Sequence, residues 1–230
     1  MNPSIPPLVP DDEPTIVPSR LRSAPTAQGM IVPFVTVAHR DRSKPVWGQL
    51  DGSRLRAALV EQLCQICGEP LDDPVVVFVR PADYLRGIAV EPATHRECGT
   101  YSTQTCPMLA ARTHRYNPVP RDRFTRCEDP ACHCRYWARG EPEPSETPRE
   151  GQPAEAWYEV EIALADYRII DDPDTRRSPA GVGIDLRHPT FRTIRRIRDS
   201  APGTADHQPA DLLATLIAVR ELFGDGGLFH

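Results

Sequence analysis

An α+β fold is predicted by three features of the sequence. Two pairs of ligand-type residues, Cys64/Cys67 and His95/Cys98, bracket an apolar stretch; β-branched runs at Met30 and Val75 alternate with helically spaced segments; and the chain closes on a broad apolar helical face. These divide it into a Pro-rich disordered arm (1–28), a metal-binding domain (29–140), a Pro/Glu linker (141–153) and a second small α+β segment (154–230).

The 26 prolines among 230 residues predict a modest core with loose ends. With 27 basic and 32 acidic residues the formal charge is −5, so no overall basic field advertises nucleic-acid binding. Lys44 is the sole lysine, and such Arg usage is as consistent with a GC-rich coding sequence as with phosphate recognition. The start, Met-Asn-Pro-Ser-Ile-Pro-Pro, has no basic and apolar leader pattern, and no apolar run approaches the ~20 residues of a spanning helix. A cytoplasmic protein is therefore expected. The 7 cysteines, an odd number clustered with histidines, favour metal ligation over a disulfide framework.

Taken in order, Ile31-Val32-Pro33-Phe34-Val35 has strand composition, with Pro33 assigning it to an edge. Val46-Trp47-Gly48 follows a turn-like segment. Ser53 is a candidate N-cap for a helix carrying Leu55, Ala58, Leu59 and Leu63, which ends near Cys64. Val75–Val79 is a strong strand and Gly87–Glu91 a weaker one, with Pro81–Arg86 expected to close them into a hairpin. Thr94 is a candidate N-cap for a helix starting at His95, whose first turn would set His95 and Cys98 on one face, where the helix dipole favours a thiolate. Past the linker, Trp157–Ile170 reads as one long strand or a hairpin. Phe191, Ile194 and Ile197 among Arg192, Arg195, Arg196 and Arg198 suggest a short basic amphipathic helix. A final helix runs from Pro209 to a stop at Gly224, with Leu212, Leu213, Leu216, Ile217 and Phe223 on its apolar face, expected to pack on the Trp157 strand.

Cys-x-x-Cys and His-x-x-Cys at the two ends of one segment meet the requirement of a four-coordinate N/S site, and Zn2+ is the ion this spacing predicts. Gly68 suits a tight knuckle after Cys67, in which backbone N–H groups turn towards sulfur. Cys106, Cys127, Cys132 and Cys134 supply enough sulfur for a second ion. Cys127-x4-Cys132-x-Cys134 is not a standard zinc spacing, however, so buried or free thiols are the competing reading.

Knuckle, hairpin and ligand-bearing helix, at Cys64, Cys67, His95 and Cys98, resemble a treble-clef zinc finger over about residues 53–110. The wider pattern, Ile31-Val32-Pro33-Phe34, Cys-x-x-Cys-Gly, His-x-x-Cys and Cys106-Pro107-Met108-Leu109, is similar to a group of zinc-binding proteins of high-GC bacteria and their phages. In that group the third ligand is usually Cys, so His95 would be a tolerated exchange. The resemblance implies zinc and brings no activity with it.

A His-Asn-His-type nuclease embedded in such a module needs a His on the hairpin and a second His or Asn on the helix. Val75–Glu91 contains no His, and no Asn or His follows Cys98 before His114. The Pro-Cys-x-x-Cys pattern that a zinc deaminase needs beside His-x-Glu is also missing. The expected function is a non-enzymatic, zinc-stabilised interaction or scaffold protein of bacterial or phage type, acting on a protein partner, with no small-molecule substrate evident. One alternative is a nucleic-acid-binding protein using Arg112, Arg115, Arg121, Arg123 and Arg126, interleaved with Tyr116 and Phe124. A degenerate or atypical His-Asn-His-type nuclease is the second.

Overall fold

The computed structural model describes residues 15–116, 126–137, 151–172 and 180–203. Strands β1 (Thr26–Ala27) and β2 (Met30–Ile31) form one small antiparallel pair, and β3 (Thr36–Ala38) and β4 (Pro45–Leu50) a second. Helix α1 (Gly52–Val60) follows. Next come β5 (Val75–Val79), α2 (Pro81–Arg86), β6 (Ile88–Ala89) and α3 (Arg96–Thr105). The later part contributes β7 (Trp157–Ile162), β8 (Ile169–Asp171), β9 (Val182–Asp185) and β10 (Thr193–Arg198). The mixed α+β class expected from the sequence is observed.

Two antiparallel sheets organise the fold, one ordered β10-β7-β5 and the other β6-β9-β8. Each joins strands from both sides of the expected 141–153 linker. Val77 pairs with Val160, and Ile88 with Asp185. The 154–203 region is thus not a separate segment, which corrects the two-part division. The reason is burial: all five residues of β5 are inaccessible, and a strand with two apolar faces needs cover on both. Val75, Val77 and Val79 face the main core with Tyr158, Val160 and Ile162, while Val76 and Phe78 join Trp157 and Leu109 in a smaller cluster behind.

The main core also takes Leu21, so residues 15–28 belong to the fold rather than to a disordered arm; residues 1–14 lie outside the described residues. Leu55 and Leu59 of α1 are fully buried, and the Tyr167 hydroxyl donates to the Leu59 carbonyl over 3.2 Å. The α1 cap is Asp51, whose carboxylate accepts the Arg54 N–H at 3.0 Å, rather than Ser53. Asp and Ser are comparable caps, and the helix begins at Gly52, one residue after Asp51. The single edge strand expected at Met30 is two short ones, because the chain turns at Pro33, whose carbonyl accepts from Thr36 N at 2.9 Å.

The expected Val75–Glu91 hairpin does not form. Pro81–Arg86 is the helix α2, with Pro81 at its start, Gly87 left-handed at its end (φ 72°), and Asp83 accepting from Arg80 N at 3.1 Å. A helix there sends β5 and β6 into different sheets. Trp157–Ile170 is β7, a 3-10 turn at Leu164–Asp166, and the start of β8 in the other sheet. The expected helix around Ile194 is the strand β10. A bulge between Arg196 and Arg198 adds one residue, so Ile194 and Ile197, three apart, mimic a helical period. The final helix from Pro209 lies outside the described residues.

Candidate metal centre

The first ligand pair sits on a knuckle closed by backbone hydrogen bonds. Cys64 N donates to Glu69 O at 2.8 Å, and Gly68 N to Cys64 O at 2.8 Å. Gly68 has φ 79°, and a Cβ there would come within 2.7 Å of the Phe34 ring, so both conformation and space require glycine. Ile66 N points at Cys64 Sγ over 3.4 Å and Glu69 N at Cys67 Sγ over 3.5 Å. These N–H dipoles stabilise negative charge on sulfur.

The second pair is placed by the free edge of β5. Val76 and Thr94 exchange backbone hydrogen bonds of 2.9 and 2.8 Å, which occupies the Thr94 backbone in the sheet and leaves His95, not Thr94, in the cap position of α3. Cys98 follows in the first turn. Gly99 allows α3 to lie against β5, since a Cβ there would already be 3.3 Å from Val76 Cγ1. The two halves are also joined directly. Gln65 N donates to Ala93 O at 3.0 Å, and its side-chain amide to Pro92 O at 2.6 Å.

The result is a cluster in which one ligand atom from each of Cys64, Cys67, His95 and Cys98 lies within 4.8 Å of all the others. His95 Nδ1 is 3.4 Å from Cys67 Sγ and 3.9 Å from Cys98 Sγ. A tetrahedral ion with bonds of about 2.0–2.3 Å sets donor separations of about 3.5–3.8 Å, so the residues present fit such an ion. His95 Nε2 faces the Pro70 carbonyl at 2.9 Å; donation there leaves Nδ1 as the ligand nitrogen and fixes the ring.

Titration behaviour follows from this crowding. Burial opposes ionisation of Cys64, but hydrogen bonds from the Cys67 and Cys98 thiols and from backbone N–H groups bring it down to about 3. Cys98, hydrogen-bonded to its two sulfur neighbours and crowded by their charge, is pushed far up. Three thiolates cannot coexist here without a cation. Arg20 adds outer charge, donating to Glu97 at 2.7 Å and Glu69 at 3.1 Å and pairing with Asp72.

Among the described residues, a second cluster joins His39, Cys127 and Cys134 within the same 4.8 Å limit. Both Cys/His clusters could hold a metal ion. Cys106, expected beside Cys127, Cys132 and Cys134, instead packs against the Val76, Phe78, Leu109 and Trp157 cluster, where burial raises its pKa. That corrects the ligand set of the second site. Sequence reasoning missed His39, an isolated histidine remote in the chain; three closely spaced thiols lacking a fourth ligand were the only signal.

Arg112 and Arg115 each donate to a backbone carbonyl, Gln104 O at 2.8 Å and Gly151 O at 3.0 Å. Arg126 is exposed, while Arg121 and Arg123 lie outside the described residues. No helix among the described residues is long and apolar enough to cross a membrane.

Fold and site together define an α+β protein with two Cys/His clusters that could hold metal. No protein-family model, curated protein or solved structure matches the chain.

Proposed function

We propose that this is a non-enzymatic interaction or scaffold protein whose fold is stabilised by Zn2+ at Cys64, Cys67, His95 and Cys98. The observation that carries the reading is the closed ligand set: four protein donors converge, and Cys64, His95 and Cys98 have no accessible surface. A site with four protein ligands leaves no position for a reacting water, the arrangement of structural rather than catalytic zinc. Three sulfurs and one imidazole suit zinc. The knuckle and ligand-bearing helix support a likeness to treble-clef fingers, although β5 and β6 do not form the hairpin of that module.

Carboxylates and carbonyls already engage much of the arginine, which favours a protein partner over nucleic acid. Arg96 contacts Glu161 at 2.7 and 3.0 Å, Arg195 contacts Glu159 at 2.6 Å, and Arg192 contacts Asp73 at 2.9 Å. The test is X-ray absorption at the zinc edge of the full-length protein, with an assay of metal-dependent DNA and RNA hydrolysis on the same sample. Sulfur and nitrogen ligation without water oxygen, and no hydrolysis, is the expected result. A bound water, or cleavage abolished by His114→Ala, would overturn it. Salt-insensitive, sequence-selective DNA binding would replace the scaffold reading with a regulator.

A further inference from the structure

We propose that His39, Cys127, Cys132 and Cys134 form a second zinc centre, which pins residues 126–137 to the turn between β3 and β4. Three of these residues already meet the distance condition for a shared ion. Cys127 Sγ and Cys134 Sγ are 3.5 Å apart, too far for a disulfide and close to the edge of a zinc–thiolate tetrahedron. Cys132 Sγ lies outside that 4.8 Å group but is held next to it, accepting from the N–H of Arg40, the residue after His39, over 3.3 Å, from where a side-chain shift completes the set.

The surroundings resemble those of the first centre. Cys127 N points at Cys134 Sγ over 3.3 Å, and Arg40 N at Cys132 Sγ over 3.3 Å, so two of the three sulfurs are met by a backbone N–H. Cys132, Cys134 and His39 are buried, at 1%, 2% and 4% exposure, in a region with little regular structure. The His39 ring is also oriented, stacked on Trp137 with centroids 5.1 Å apart. His39 itself is held where the chain reverses, its carbonyl accepting from Arg42 N at 2.8 Å. The short Cys132-x-Cys134 spacing fits because a 3-10 turn at His133–Tyr136 begins between these residues, and because the fourth ligand comes from a distant strand end.

Native mass spectrometry of the full-length protein purified under reducing conditions tests this. Two zinc ions per chain are expected for the wild type, and one for Cys127→Ser/Cys134→Ser. His39→Ala should surrender one of two ions to a chelator that the wild type resists, and Cys106→Ala should keep both. Should the double serine variant fail to fold, fragmentation of the wild-type ion decides, with the second zinc expected on a fragment containing Cys127 to Cys134. One zinc per chain in the wild type, a Cys127–Cys134 disulfide, or loss of the second ion in Cys106→Ala would overturn the proposal. A zinc ion lost from Cys64→Ser/Cys67→Ser reports on the first centre alone, so the two assignments fail separately.

Discussion

The two Cys/His clusters use similar donors but are built in opposite ways. Around Cys64 and His95 every ligand is carried by backbone already engaged elsewhere: the knuckle bonds to residues 34–35 and to Ala93, and the segment before α3 completes the edge of β5. Cys64 and Cys98 are themselves members of the main core. Around His39 and Cys134, one short 3-10 turn and a chain reversal supply the frame, and the thiols lie outside that core. A metal in the first cluster would therefore be part of the global fold, whereas in the second it would act as a local staple.

The sharpest way to break this comparison is Cys98→Ser. Structural zinc contributes on the order of 10 kcal/mol, comparable to the full stability of a domain. Loss of the cooperative thermal transition is expected; an unchanged melt would remove the first centre from the core.

Asp83→Ala provides a control without metal. Arg80 and Asp83 are a buried pair, with Nε to Oδ2 at 2.7 Å, and Glu155 adds a contact at 3.1 Å. Leaving buried Arg80 with Glu155 as its carboxylate partner should cost up to about 3 kcal/mol in denaturant unfolding, the low end for a broken buried pair. Zinc content should stay at the wild-type value, which separates damage to the core from damage to ligation.

A smaller effect is expected from Cys134→Ser. Amide exchange should accelerate over residues 126–137 while β5 and β7 stay protected, since local opening need not involve the global unit. Equal loss of protection in both regions would show that the second cluster is not local.

The smallest effect concerns Arg96, which ties α3 to the sheet through Glu161. Donation from Arg96 holds the Glu161 carboxyl below its usual pKa. A depressed folded-state pKa gives stability that is present above the unfolded carboxylate pKa and is lost as pH falls through the folded value. Arg96 is exposed, so Arg96→Met should cost little stability at neutral pH. It should also flatten the stability profile below about pH 4.5, where unfolded carboxylates protonate. An undiminished acid slope would assign that slope to other carboxylates or to proton competition for the metal ligands.

Features legible in the sequence were those encoded within a few residues. Cys-x-x-Cys-Gly specifies a knuckle through its glycine, and His-x-x-Cys places two ligands within one helical turn. Val75–Val79 is too β-branched and too uniformly apolar for anything but a buried strand. Leu55, Ala58 and Leu59 mark one helical face. The α+β class and the first ligand set followed from these local signals.

What only the tertiary structure decided depended on partners far away in the chain. Whether Ile194 and Ile197 lie on a helix or a bulged strand was settled by β7, whose Glu159 and Glu161 pair with Arg195 and Thr193. Whether β5 turned back on β6 or crossed to β7 depended on the helix that Pro81 and Asp83 nucleate and on the cover both faces of β5 require. The exchange of Cys106 for His39 followed from folding. Local spacing brings Cys127 and Cys134 together, but the turn after β3 carries His39 to them, while Cys106 is drawn to the apolar side of β5 by burial. Short-range periodicity is written in residue spacing, whereas the choice of a sheet neighbour or a fourth ligand is made by the packing of surfaces that the chain assembles only once it has folded.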